Sequence, residues 1–341
     1  MDIKSLTYEE LQNEIMVLGE SKFRAGQIFD WAHNKQVDSI EKMSNLSKAL
    51  REKLKENYEF TSLKCARMQE SASDGTKKFL FELADGNYVE SVFMKYHHGN
   101  SVCISSQVGC RMGCKFCAST LDGLERNLLP GEMLDQIYRI AAITGEKISN
   151  IVVMGTGEPL DNYENLLKFI HLLNDERGMN LSQRNITVST CGIVPKIRAL
   201  AEEKLQITLA LSLHAPTDEK RKALMPIANS YSLNEVMDAC RYYFDKTGRR
   251  VSFEYALVSG VNDRDEEVME LTHLLKGMNC HINLIPVNPI KEREFKSTDR
   301  LRVLEFKKKL EKNGINVTIR REMGRDIDGA CGQLRRRVMQ G

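Results

Sequence analysis

The rhythm of apolar and polar positions changes twice along the chain. Over residues 1–55 apolar side chains recur at helical spacing, with Leu11, Ile15 and Leu18, then Phe23, Ile28 and Trp31 more loosely. The segment SNLSKALREKLKENY opens on candidate N-caps, Ser44 or Ser47, and then turns helical. A small helical module is expected there. Over residues 56–98 the period falls to two. KKFLFEL and NYVESVFMKY alternate around Asp85-Gly86-Asn87, which predicts a β-hairpin. From residue 99 to 341, β-rich runs such as SVCISSQ, NIVVMG, NITVST, QITLALSLHA, VSFEYALV and HINLIPV alternate with helical stretches. A last pair, RLRVLEFKKKLEKNG and INVTIRR, follows. Such alternation predicts βαβ units and a parallel sheet. Six units are too few to close an eight-stranded barrel. The expected fold class is therefore α/β, a partial (βα)6 barrel with its site at the C-terminal ends of the strands.

Composition changes this picture little. The 341 residues are 42% hydrophobic and 28% charged, which suits an ordinary globular core. No apolar run reaches the roughly 20 residues that span a bilayer. The N-terminal MDIKSLTYEELQNEI lacks the apolar core of a signal peptide, so a cytoplasmic protein is expected. Net charge is only +2, and no global basic field announces nucleic acid. Local patches stand at Arg249-Arg250, Arg320-Arg321 and Arg335-Arg336-Arg337, and such runs are usually solvated faces. Nothing in the chain demands more than a monomer.

The nine cysteines carry more information. An odd count without a secretion signal argues against a disulfide framework. Cys110, Cys114 and Cys117 are separated by three and two intervening residues in SSQVGCRMGCKFCAST, just after the first β-run of the barrel. Three thiolates can hold three irons of a [4Fe–4S] cluster and leave the fourth iron open. A zinc site needs four ligands, commonly as two spaced pairs, and no second pair is present. Cys103 would complete a zinc set, but it lies on a predicted strand.

The stretch CISSQVGCRMGCKFCAST resembles the cysteine loop of the radical S-adenosylmethionine (SAM) superfamily. More narrowly, the chain resembles the bacterial dual-specificity adenine methyltransferases of 23S rRNA and tRNA. The likeness extends through VVMGTGEPLDN, ITVSTCGIVP, LALSLHAP, VNDRDEE, INLIPVNP and DIDGACGQL, so it covers nearly the whole barrel and the tail. It implies a [4Fe–4S] cluster on Cys110, Cys114 and Cys117, with the amino and carboxylate groups of SAM on the open iron. It implies SAM contacts from Gly157, Glu158, Ser189, Ser212, Leu213, His214 and Asn288. Read without it, the glycines and Glu158 are a strand-ending turn, and a lone His214 is more often structural.

The resemblance also implies a route. Adenine carbon 2 has no lone pair with which to attack a SAM methyl, so polar displacement is unsuitable. In the family one SAM methylates a cysteine. A second is cleaved to a 5′-deoxyadenosyl radical that takes hydrogen from the methylated thiol, and the carbon radical adds to the base. A further cysteine releases the product by forming a disulfide, and carbon 2 loses a proton. Cys331 in GACGQL matches the methyl carrier, Cys103 the resolving thiol and Glu90 the proton acceptor. On residues alone, the two cysteines are small buried hydrophobes and Glu90 is the solvent-facing member of an alternating strand. Cys65, Cys191, Cys240 and Cys280 are read as small buried hydrophobes.

The partners implied are 23S rRNA, tRNA and a reducing electron donor such as flavodoxin or ferredoxin. A target adenine must leave its stack to reach a barrel mouth. The helical module, the hairpin and the C-terminal arginines are the expected docking surfaces. Two rivals remain. Carbon-8 methyltransferases that confer antibiotic resistance share the cysteine pattern. They tend to have alanine where this chain has Pro159, and an arginine–tyrosine pair that NLIPVNP lacks. A non-catalytic iron–sulfur or zinc RNA-binding module would have no need of Cys331.

Overall fold

In the computed structural model, residues 1–287, 295–321, 323, 324, 326, 327, 334 and 335 are described. The N-terminal segment folds as α1 (Tyr8–Val17), α2 (Phe23–Phe29) and α3 (Lys48–Asn57). Thr7 and Glu10 close a capping box on α1, and Ser47 rather than Ser44 caps α3 by accepting Leu50 N–H at 3.1 Å. This segment is pinned to the barrel helix α4 (Pro130–Thr144). The ammonium of Lys4 lies 2.6 Å from Asp135 Oδ1, with both side chains fully buried. Asp135 Oδ2 also accepts Leu63 N–H at 2.7 Å.

The strands that follow are β1 (Lys64–Glu70), β2 (Lys77–Glu82), β3 (Tyr88–Tyr96) and β4 (Gly99–Cys103), each antiparallel to the one before it. The expected hairpin is β2–β3. Its turn uses Gly86 at φ 80°, with Leu83 N–H donating to Asn87 O at 2.8 Å. β1 was not foreseen. It is an almost wholly exposed edge strand, so it lacks the apolar face that produces alternation. Cys65 lies on it and is exposed, which corrects its reading as a buried hydrophobe.

The meander does not form its own sheet. β4 pairs in parallel with β7 (Ile148–Val153), which lies beyond the short hairpin β5 (Gln107–Gly109) and β6 (Leu124–Asn127). β8 (Ile186–Thr190), β9 (Thr208–Ser212), β10 (Val251–Leu257), β11 (Cys280–Pro286) and β12 (Val317–Ile319) follow in order. The parallel strands are joined by α4, α5 (Tyr163–Asn174), α6 (Val194–Glu202), α7 (Asp218–Leu224) with α8 (Leu233–Thr247), α9 (Asp265–Leu274) and α10 (Arg300–Lys312). These are six right-order βα crossovers in an open sheet, with β1 and β12 as its edges, and so a partial barrel. The short helix α7 was not foreseen, although Thr217 caps it and Asp218 and Glu219 fill its first turn. No helix among the described residues is long and apolar enough to cross a membrane.

Candidate active site

Parallel strands that share one direction deliver all their C-terminal ends to one rim. A cavity of about 680 Å³ opens there. It gathers residues from the ends of β4, β7, β8 and β9, from the loop between β5 and β6, and from the segment after β12.

The β5–β6 loop carries the three cysteines. Gly109 enters it at φ 77°, where an added Cβ would lie 2.0 Å from Gly123 O, so no other residue fits. Cys110 N–H donates to that same carbonyl at 2.7 Å, and Thr120 Oγ1 donates to Cys114 O at 3.1 Å and Cys117 O at 3.0 Å. Lys115 N–H donates to Leu224 O at 2.9 Å, which seats the loop on α7. Cys110 and Cys114 are buried, Cys117 is half-buried, and all three line the cavity. Burial pushes the Cys110 thiol up to about 12, and the neighbouring thiol Cys117 and Glu158 add to the rise. Cys114 is pushed up for the same reason, by burial first and the other two thiols next. Thiolates at Cys110 and Cys114 are therefore tolerable only with a strong positive charge beside them. Among the described residues no three ligand side chains converge on one point as a mononuclear site requires. A cluster binds each thiolate on a different iron, and thiols spread around one cavity wall fit it.

The segment after β7 lies against the strand leading into this loop. Thr156 O accepts Ser106 N–H at 2.9 Å, and Gln107 Oε1 accepts Glu158 N–H at 2.8 Å. An added Cβ at Gly157, φ 114°, would meet Gln107 Cβ at 2.7 Å and Gln107 N at 2.8 Å. Glu158 is buried and lines the cavity. Its carboxylate accepts Cys191 N–H at 2.7 Å and Leu160 N–H at 3.0 Å, and burial raises its pKa. The Thr190 and Cys191 side chains also hydrogen-bond to this carboxylate, which fixes its place on the cavity wall.

Ser189 and Ser212 end β8 and β9, with their hydroxyl oxygens 3.4 Å apart on the cavity wall. His214 has φ 57°, and this backbone is held by Asn262, whose Nδ2 donates to His214 O at 2.8 Å. Ala256 N–H donates to His214 Nδ1 at 2.9 Å, so the ring proton resides on Nε2. Burial lowers the imidazole to about 3, and it is neutral at physiological pH. Leu213 points into the core and not into the cavity; it offers only main-chain groups.

Cys103 ends β4 on the cavity wall, opposite Val92 of β3 in register. Cross-strand partners share a face, so Lys78, Leu80, Glu90, Val92 and Cys103 lie on one side of the meander. Glu90 is buried, not solvent-facing, because both faces of β3 are covered. Its Oε2 lies 3.0 Å from the fully buried Lys78 ammonium, and its Oε1 accepts Arg335 N–H at 2.6 Å. Glu90 is one pleat repeat from Val92 but does not itself line the cavity. Cys331 and Asn288 lie outside the described residues.

Sequence reasoning missed Glu254, which lines the cavity from mid-β10. Burial raises its pKa, and Asn283 Nδ2 donates to its Oε2 at 2.8 Å. A carboxylate inside a parallel strand with both faces covered was the available signal. Arg320 and Arg321 line the cavity as well, rather than forming only a solvated patch. Cys191 is buried as expected and is also part of the cavity wall.

Comparison with known proteins bears on this site. Residues 104–272 match the family model of the Radical SAM superfamily, and residues 1–60 match that of the Ribosomal RNA large subunit methyltransferase N-terminal domain. The chain is 69% identical over 339 residues to a protein of Lachnospira eligens named "Probable dual-specificity RNA methyltransferase RlmN", covering 99% of this chain and 97% of that one. A protein of the same name from Clostridium novyi is 56% identical over 339 residues, with 99% of each covered. The crystal structure of a radical SAM methyltransferase from Sphaerobacter thermophilus superposes with a TM-score of 0.94 at 43% identity, over 98% of both chains.

Proposed function

We propose, since the chain belongs to the RlmN family within the radical SAM superfamily, that it methylates carbon 2 of an adenosine in 23S rRNA and in tRNA. The observation that carries the reading is the meeting of Cys103 with Cys110, Cys114, Cys117 and Glu158 in one cavity at the strand C-termini. When bound, the [4Fe–4S] cluster supplies the electron that cleaves SAM, and SAM is the source of both the methyl group and the hydrogen-abstracting radical. Cys110, Cys114 and Cys117 would hold that cluster.

The other roles belong to the chain. Gly157 lets this segment pack against Gln107 and so places Glu158, whose carboxylate pairs with the SAM ammonium. The hydroxyls of Ser189 and Ser212, the Nε2–H of His214, the main chain of Leu213 and the amide of Asn288 supply polar contacts around it. Cys331 carries the methyl group, Cys103 resolves the bond to RNA, and Glu90 receives the proton that carbon 2 loses. Glu90 lies buried beside Lys78, two residues along β3 from the cavity-lining Val92. A flavodoxin or ferredoxin donates the electron. The enzyme works in the cytoplasm, where its RNA substrates are, as a monomer. Residues 1–55 form an RNA-docking module on the barrel residues 99–341, with 56–98 between them.

The test is anaerobic reconstitution with iron and sulfide, followed by assay of SAM cleavage and chromatography of RNA digests. 2-Methyladenosine is expected. 8-Methyladenosine would overturn the carbon-2 assignment, and full turnover by Cys331→Ala would overturn the methyl-carrier role.

A further inference from the structure

Arg221 of α7 is entirely buried. Its Nη2 donates to Cys191 O at 2.6 Å and Ser212 O at 3.4 Å, and its Nε donates to Leu213 O at 3.3 Å. All three acceptors are neutral carbonyls. Nη1 is buried and has no hydrogen-bond partner among the described residues. Among the described residues no carboxylate forms an ion pair with it, and Asp218 one turn earlier directs its Oδ1 to Leu233 N–H at 2.7 Å. A buried cation without a counter-anion costs several kcal/mol. Asp218 offsets part of that cost at a distance, and a further negative group beside the guanidinium would offset more.

The cysteine loop is the neighbour. Lys115 N–H is bonded to Leu224 O at the end of the same helix, and Cys114, Cys191, Leu224 and Met225 pack as one apolar cluster. Burial raises the Cys114 and Cys191 thiols, and Arg221 is the cation that opposes the rise at both. A guanidinium cannot shed its proton to escape burial, as an ammonium can. It is a fixed charge.

We infer that Arg221 is the buried counter-charge of the iron–sulfur cluster and stabilises its reduced form. The inference rests on reading Cys110, Cys114 and Cys117 as the cluster ligands. Reduction adds one electron from the external donor and makes no bond, so the cluster gains one negative charge. A fixed cation in a low-dielectric wall favours that gain.

The test is an EPR-monitored redox titration of the reconstituted full-length protein as wild type, Arg221→Gln and Arg221→Lys. Gln keeps an amide donor and removes the charge, whereas Lys keeps the charge and loses the fork. The Gln variant is expected to lower the equilibrium constant for reduction about tenfold, or about 59 mV for a one-electron couple, with Lys within about twofold of wild type. Equal potentials in all three would overturn the inference. Cluster uptake by the Lys variant but not by the Gln variant would support it. Uptake by neither would overturn it, because the fork and not the charge would then be what the site needs. Iron and sulfide content of the wild type separates these outcomes from failure of the ligand reading itself.

Discussion

Glu90 accepts the main-chain N–H of Arg335 at 2.6 Å, across 245 positions of sequence. The same carboxylate faces the buried Lys78 ammonium through its other oxygen. One side chain thus serves the C-terminal tail, the meander and, in the proposed reaction, the proton. These duties can be separated. Glu90→Gln retains an acceptor for Arg335 but removes one carboxylate from the buried Lys78 ammonium, which should lower stability in urea unfolding. Adding Lys78→Met should recover most of that stability. Methylation of RNA should not recover, because neither variant accepts a proton at this position. A double variant that regains activity along with stability would show Glu90 to be only a structural anchor.

The buried His33 gives a pH dependence. Burial lowers its pKa to about 3, and the Lys4 charge works in the same direction; its Nδ1 lies 3.0 Å from the Tyr138 hydroxyl. The folded imidazole is neutral where the unfolded one takes a proton, below about 6.5. The unfolded state then binds more protons, so this contribution is complete above 6.5 and lost as pH falls toward 3. Between about pH 7 and about pH 5 the loss is about 2 kcal/mol. His33→Gln should flatten urea-unfolding stability over that interval by about that amount, and an unchanged slope would contradict the account.

The spacing of Cys110, Cys114 and Cys117 was legible because cluster ligation is local: one loop supplies all three thiols. The βα units were legible because each helix buries one apolar stripe against the sheet. Glu90 was not. An alternating strand reads as half-exposed, and what meets Glu90 includes the main chain of Arg335, far away in the chain. Arg221 was hidden similarly, since KRK reads as a solvated run until α7 turns one member of it inward. β1 carried no pattern because an edge strand in solvent needs none. Contacts that close over long sequence separations leave no periodicity behind.

Gly157 should tolerate no side chain. At φ 114° an alanine is strained by about 1–3 kcal/mol, and its Cβ would press on the backbone of Gln107. Because Gln107 also holds Glu158 N–H, the displacement reaches the carboxylate that is to meet SAM. Gly157→Ala is therefore expected to weaken SAM binding in equilibrium dialysis as well as stability. Gly145→Ala, at φ 68° with open space around it, should cost about 1 kcal/mol and leave SAM binding unchanged. Equal SAM affinity in Gly157→Ala would remove Gly157 from the site.

The turn between β1 and β2 holds the approach to the tail. Asp326 accepts Ser71 Oγ–H at 2.5 Å and Ala72 N–H at 2.8 Å, while Gly324 N–H donates to Asp74 Oδ2 at 2.9 Å. Further along, Arg335 is held by Glu90. Cys331 stands in sequence between these two attachments. If they position it, Asp326→Ala should lower methyl occupancy of Cys331 several-fold, by loss of hydrogen bonds worth about 1 kcal/mol each. It should also raise the 5′-deoxyadenosine formed per methyladenosine, since radical formation at the cluster would continue while its productive use fell. Mass spectrometry of the Cys331 peptide and chromatography of the nucleosides read the two quantities, with iron content as the control. Ser71→Ala should move both in the same direction by less, since Ala72 N–H still holds the carboxylate. Wild-type occupancy and coupling in Asp326→Ala would mean that the turn merely packs against the tail.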